Sequence, residues 1–397
     1  MLSSQVSRFI MLARWAAAFA VLIAHVSNVF INENDIMTAS HGPGAYVWWF
    51  FHGFSHEAVV VFFVISGFLV GGSVIEKSRG SEPFLAKYFV DRVARIYIVL
   101  VPVLLIGLLL DTLGRQLFGG LGPYELPGFA FGLNVLGWNM LNMQGTFAPT
   151  FGTNFPLWSL GFEFWYYVAC PLLLLPLLRG VPLIRWGGFA CGVALALTFG
   201  ISAEFFLLGG GIWAAGAVTR ALKRPFVRSK FLALGIFLVV LVAARLIFHD
   251  NVKLPAALVA ISDSLVALAF CNLLLTLRFA SSTGWAITRW RLHKPLSEFS
   301  YSLYACHFPI LLFLAACADF MAGIGWRAQA PTALHWIVAF GAIALTLCLS
   351  WLLARVTEAR TADVRHAMYR LLDRAPSRNV AANVLASEAE PAPATSA

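Results

Sequence analysis

Long apolar runs, each interrupted by a few polar residues, set the pattern of this chain. Runs of membrane-crossing length fall at about 9–29, 56–75, 96–113, 158–178, 184–200, 203–219, 231–248, 255–277, 297–317 and 333–354. Apolar stretches of that length read as transmembrane helices. The stretch 126–144 is also apolar, but it is short, glycine-rich and dotted with Asn134, Asn139 and Asn142. The pattern predicts an all-α polytopic membrane protein with about ten transmembrane helices plus a short re-entrant or interfacial helix at 126–144. The first run is broken by Arg14 and lacks a small-residue cleavage site, so it reads as a retained span.

Composition agrees with the pattern: 60% of the 397 residues are hydrophobic and 12% charged, too apolar for a soluble domain of this length. A net charge of +9 would suit nucleic acid, but the distribution of that charge points to topology instead. With a cytoplasmic N-terminus and a non-spanning 126–144, 24 of the 28 Lys and Arg fall on the inner side, leaving Arg115, Arg245, Lys253 and Arg327 elsewhere. Making 126–144 a full span would invert every later loop. Both termini are therefore expected in the cytoplasm, with no nucleic-acid partner. Residues 1–356 form the expected transmembrane domain, and 357–397, ending SEAEPAPATSA, a largely disordered cytoplasmic tail. No soluble catalytic domain is expected after it, and no internal repeat is visible. The six cysteines all lie in apolar runs without zinc or disulfide spacing, so packing is their expected role and no metal site is expected.

Lipid tolerates ionisable groups poorly, so those within or beside spans are the functional candidates: Arg14, His25, His56, Glu57, Glu163, Arg245, Asp263, Glu298 and His307. Arg14 and His25 flank ten apolar residues; eleven helical steps return to within about 20° of the start, so both occupy one face, about 16 Å apart. The alternative is a snorkelling arginine plus a hydrogen-bonded structural histidine. In WSLGFEFWYY, helical spacing aligns Ser159, Glu163, Tyr166 and Tyr167 in one polar, aromatic stripe, with Trp158 at its start. A buried carboxylate there needs a cation or hydrogen bonds, so a purely structural partner for an arginine is the competing role. Arg92 and Arg95, three apart at the entry to the third run, form a forked pair suited to phosphate or pyrophosphate, although the positive-inside rule alone also places arginines there. His307, three residues after Tyr304, is a second imidazole for a cavity or an interfacial hydrogen-bonder. Arg245 is a candidate counter-ion for Glu163 or Asp263. Ser66 in FFVISGFL is a weak candidate nucleophile, since Ser-Gly within a span usually permits close helix packing. GxxxxGK[ST], HExxH and G-x-S-x-G signatures are all missing.

In order along the chain, Arg14-x10-His25, FFVISGFL at 62–69, RVAR at 92–95, WSLGFEFWYY at 158–167 and SYSLYACHFP at 300–309 resemble the acyltransferase-3 family of bacterial integral-membrane acyltransferases. The resemblance covers about residues 8–355. Family members often carry a proline shortly after the RxxR pair, where this chain has Tyr97-Ile98. Some members also carry a C-terminal SGNH-type domain that this sequence lacks, so the membrane domain is expected to act alone.

The resemblance implies transfer of an acyl group, most often acetyl, from cytoplasmic acyl-coenzyme A to a hydroxyl of an envelope, secreted or lipid-linked glycan. His25 matches the family's essential histidine and Arg14 its partner; Arg92 and Arg95 match the pair associated with acyl-coenzyme A. Glu163 and His307 match polar positions of less defined role. The expected chemistry is direct transfer, with His25 as base, Glu163 orienting or stabilising charge, and Arg14 lining the donor channel. An acyl carrier role for His25 is the alternative. Ser66, Trp158, Tyr167, Tyr304, His307 and Arg245 are expected to line the cavity or contact the acceptor. Acetyl-coenzyme A is expected as co-substrate, with no permanently bound cofactor. Membrane lipids, the acceptor glycan and a homo-oligomer or polysaccharide-assembly complex are the expected partners, in the bacterial inner membrane. A transporter or flippase for a lipid-linked saccharide is the rival class, but no paired broken helices mark one. The aromatic stretch Tyr46–His56 is expected to anchor at the interface rather than stack on sugars.

Overall fold

The computed structural model describes residues 4–31, 42–80, 84–119, 122–125, 129–177, 182–247, 255–280, 285–324 and 332–374. Glu33, Asp35, Lys253, Arg327 and the tail from residue 375 lie outside the described residues. The helices are α1 (Ser4–Phe30), α2 (Pro43–His52), α3 (Ser55–Ser66), α4 (Gly72–Ser78), α5 (Leu85–Phe118), α6 (Leu133–Met140), α7 (Trp158–Leu174) and α8 (Pro182–Ser202). They continue as α9 (Glu204–Ala221), α10 (Lys230–Ile247), α11 (Ala256–Phe279), α12 (His293–Glu298), α13 (Ser300–Ala322), α14 (Ala333–Val356) and α15 (Thr361–Arg374). The protein is an all-α, multi-pass membrane protein.

Among the described residues, nine helical stretches are long and apolar enough to cross a membrane. The tenth expected run is α9, whose 18 residues span about 27 Å at the helical rise. Glu204, Arg220 and four glycines dilute its apolarity. It is seated against α3 and the five-residue π-turn Gly67–Gly71 that joins α3 to α4, so protein contacts replace the all-round apolar surface that lipid would demand.

The close approach of α3 and α9 explains the Ser66-Gly67 pair. A Cβ at Gly67 would stand 1.8 Å from the Trp213 carbonyl oxygen, and one at Gly216 would stand 2.2 Å from that of Val64. Only hydrogen fits on either side of this crossing. Gly67→Val is therefore expected to destabilise the protein by about 1–3 kcal/mol or more, as overpacking does. Gly107→Ala, where nothing lies within 4 Å of the new methyl, should leave the melting temperature in detergent unchanged. Equal melting of the two variants would contradict this packing.

Among the described residues of the stretch 126–144, the only helix is α6, eight residues or about 12 Å, too short to cross. Its asparagines fasten it to its surroundings. Asn139 binds the Val135 and Pro149 carbonyls and accepts from the Phe151 amide, while Asn142 donates to the Tyr97 hydroxyl. Tyr97 donates to the Met140 carbonyl at 2.8 Å. Buried Asp111 of α5 accepts from both the amide and hydroxyl of Thr153, pinning the following loop.

The main apolar core joins α1, α3, α5, α7, α9, α10 and α11, and a second core joins α1, α13 and α14; Phe62 packs on both. The polar stretch after 356 is helical over α15, which packs on α5. Its tail reading therefore needs correction over 357–374: Glu358 is buried and Tyr369 donates to Asp91 at 2.7 Å. Of the cysteines, all six are free thiols.

Candidate active site

A cavity of about 350 Å³ lies between α1, α3, α5, α7, α13 and α15. Four guanidiniums line it, those of Arg14, Arg92, Arg95 and Arg365, against the two carboxylates of Asp91 and Glu163. Helical order arranges the lining by depth. Arg92, Arg95 and Ile96 lie at the start of α5, level with Tyr167 of α7 and Tyr301 of α13, whose rings stand 5.8 Å from Arg92 and 5.2 Å from Arg95. At the other end, Ser159 and Tyr304 hold their hydroxyls 2.5 Å apart beside the Pro156 carbonyl. The cavity thus grades from a basic end to an aromatic, hydroxyl-lined end.

Arg95 is fixed by Glu358 at 2.9 Å, and the other oxygen of that carboxylate accepts from the Ser302 amide at 2.8 Å. Arg92 is less committed, since its buried Nε has no protein partner. Arg14 faces Arg95, Glu163, Glu358 and Tyr167 as its electrostatic neighbours. Such a cluster of forks in a partly desolvated pocket recognises phosphate-type anions.

Glu163 ends a directed hydrogen-bond chain. Tyr167 donates to its Oε1 at 2.5 Å. With that proton spent, the Ser66 hydroxyl donates to the Tyr167 oxygen at 3.1 Å, and Trp213 Nε1 donates to Ser66 at 3.0 Å. Ser66 thereby serves as a relay that fixes Tyr167, not as an activated nucleophile, because no base contacts its oxygen. Ser159, Glu163 and Tyr167 share the cavity face, but Tyr166 does not: its hydroxyl turns away to the Phe206 carbonyl at 2.7 Å.

His25 and His307 meet outside the cavity lining, one turn beyond Tyr304. His25 Nδ1 stands 2.7 Å from His307 Nε2, with the rings stacked at 5.0 Å. His307 Nδ1 contacts the carbonyl oxygens of Leu303 and Tyr304 at 3.1 and 2.9 Å. Carbonyls only accept, so Nδ1 of His307 carries its proton, and in the neutral ring Nε2 accepts. His25 Nδ1 must then be the donor. That leaves His25 Nε2 with its lone pair, the form a general base requires. The Tyr304 ring, which lines the cavity's end, stands 6.1 Å from that of His307.

Several sequence candidates stand elsewhere. Arg245 is fully buried, donates to the Trp49 and Phe50 carbonyls at 2.5 and 3.2 Å, and lies over the Trp49 ring. It lines no part of the cavity and pairs with neither Glu163 nor Asp263. Asp263 instead pairs with His56 at 2.7 Å. Trp158 packs on Phe162 and Phe205 without entering the cavity. Asp91 and Arg365 were missed by the sequence reading. Asp91 adjoins the Arg92–Arg95 pair and so was within reach, whereas Arg365 sits in a stretch whose polarity resembles that of a free tail.

Comparison with known proteins fits this arrangement. No solved structure matches the chain. A stretch of 188 residues is 29% identical to the acyltransferase MdmB of Streptomyces mycarofaciens, covering 46% of this chain and 43% of that protein, so less than half of that relative's length is matched. A family model described as an acyltransferase domain matches residues 7–355, which takes in the histidine pair and the cavity lining except Thr361 and Arg365. The chain therefore belongs to the acyltransferase-3 family.

Proposed function

We propose that the protein transfers an acetyl group from cytoplasmic acetyl-coenzyme A to a hydroxyl of an envelope, secreted or lipid-linked glycan. The observation that carries this reading is the directed contact from His25 through His307 to the α13 carbonyls, set one turn beyond a cavity whose other end is lined with arginines. The basic end faces the cytoplasm, as do both termini, and the membrane is the bacterial inner membrane. The donor's phosphates bind Arg92 and Arg95, and its thin pantetheine arm runs past Arg14 and Glu163 toward Tyr304. His25 Nε2 takes the proton of the acceptor hydroxyl as the oxygen attacks the thioester carbonyl. The C–S bond then breaks, and the leaving thiolate recovers that proton from the imidazolium. His307 keeps the His25 ring in the competent tautomer and orientation.

Labelled acetyl-coenzyme A presented with a pool of bacterial glycans to the purified protein in nanodiscs tests this reading. Label is expected on glycan, with one thiol released per acetyl group moved. Thiol release without labelled glycan would remove the acceptor assignment, and no donor binding at all would remove the donor.

A further inference from the structure

We infer that Arg365, presented by the helix that follows the last span, is a specificity-determining residue that reads the ribose phosphomonoester of the donor, and that Asp91 tunes this contact by competing for the same guanidinium. The inference rests on the acyl-coenzyme A reading above and deepens it.

Three observations carry it. First, Arg365 and Thr361 of α15 line the same cavity as Arg92 and Arg95. Second, Asp91, the ion-pair partner of Arg365, lies at the residue before Arg92 and four before Arg95, so Arg365 stands at the outer edge of the basic end, beside Arg92 and about one helical turn from Arg95. Third, the bonding at this level is loose where that below is fixed. Arg365 stands 3.7 Å from Asp91 Oδ1, beyond hydrogen-bond reach, with 40% of its side chain exposed. Arg95, by contrast, is held at 2.9 Å by buried Glu358. Asp91 Oδ1 meanwhile accepts a 2.7 Å hydrogen bond from Tyr369, the next turn of α15. Arg365 can therefore leave Asp91 for a phosphate without stranding the carboxylate.

Two levels of cations suit a donor with two separated phosphate groups. In coenzyme A the thioester end must go deepest, the pyrophosphate follows outward, and the ribose phosphomonoester comes last. Arg92 and Arg95 match the pyrophosphate level, and Arg365 matches the phosphomonoester. A dianionic phosphate also outcompetes a single carboxylate for one guanidinium.

Calorimetry on the full chain in nanodiscs, with coenzyme A and 3′-dephospho-coenzyme A as probes, tests the assignment. Wild type is expected to prefer coenzyme A. Arg365→Gln should weaken coenzyme A about tenfold or more while leaving the dephospho form unchanged, as loss of a charge-assisted contact does. Arg365→Lys should recover part of the loss. Asp91→Asn should tighten coenzyme A about two- to fivefold, the scale of an exposed ion pair. Equal weakening of both probes by Arg365→Gln would make the residue structural and overturn the inference, as would no change with either. If wild type binds both probes equally, the Arg365 assignment alone falls; if it binds neither, the donor reading falls with it.

Discussion

Glutamine at both Arg92 and Arg95 is expected to weaken acyl-coenzyme A binding by about a hundredfold or more, which corresponds to some 2.7 kcal/mol. Each residue offers a planar fork in a cavity where water is restricted, and a charge-assisted bond there counts for more than one in bulk water. The two singles should differ in kind. Arg95 also anchors Glu358 and, through it, the start of α13 and the joint to α15, so Arg95→Gln leaves a buried carboxylate short of a partner and lowers stability as well. Arg92 contacts the Tyr167 face and its Nε has no protein partner, so Arg92→Gln should lose donor affinity with little change in melting. Calorimetric titration beside thermal unfolding separates these effects; equal donor affinity in the double variant and wild type would sink the phosphate assignment.

The second large effect concerns the histidine pair. His25→Ala should slow acyl transfer by about 10²- to 10⁴-fold, the range that general-base catalysis supplies. His307 acts through His25, so its substitutions depend on what they offer Nδ1 of that ring. Leucine removes the acceptor at 2.7 Å and should cost about tenfold or more in rate. Glutamine, whose amide oxygen accepts, should retain more activity than leucine. If leucine and glutamine are equally slow while both variants fold, the tautomer assignment is wrong.

Much of this was legible in the primary structure, for a physical reason: lipid demands long apolar runs, and every charge within them stands out. The runs located the nine stretches long and apolar enough to cross a membrane, while the tenth run, α9, carries glycines and terminal charges that dilute its apolarity. The Arg14-x10-His25 spacing placed both residues on one face, and α1 does carry Arg14 into the cavity. Periodicity alone did not show that His25 would point past that cavity to His307, because the pairing depends on how α1 and α13 dock. The same limit applies to Arg245. A buried arginine reads as a counter-ion, yet backbone carbonyls of Trp49 and Phe50 satisfy it, and no side-chain pattern signals a backbone partner. Tyr166 missed the expected stripe because adjacent residues on a helix diverge by about 100°, and Tyr167 took the cavity face. Arg365 escaped notice because a polar, charged segment resembles a solvated tail until a docking surface appears.

The most direct test keeps binding and chemistry apart in a single substitution. Donor affinity by calorimetry and thiol release with glycan acceptor are measured on the same nanodisc preparations of wild type and His25→Ala. The acyltransferase reading requires both proteins to bind acetyl-coenzyme A alike, because the arginine cluster is intact in each, and only wild type to release thiol. Acceptor-dependent release by His25→Ala at the wild-type rate would contradict it.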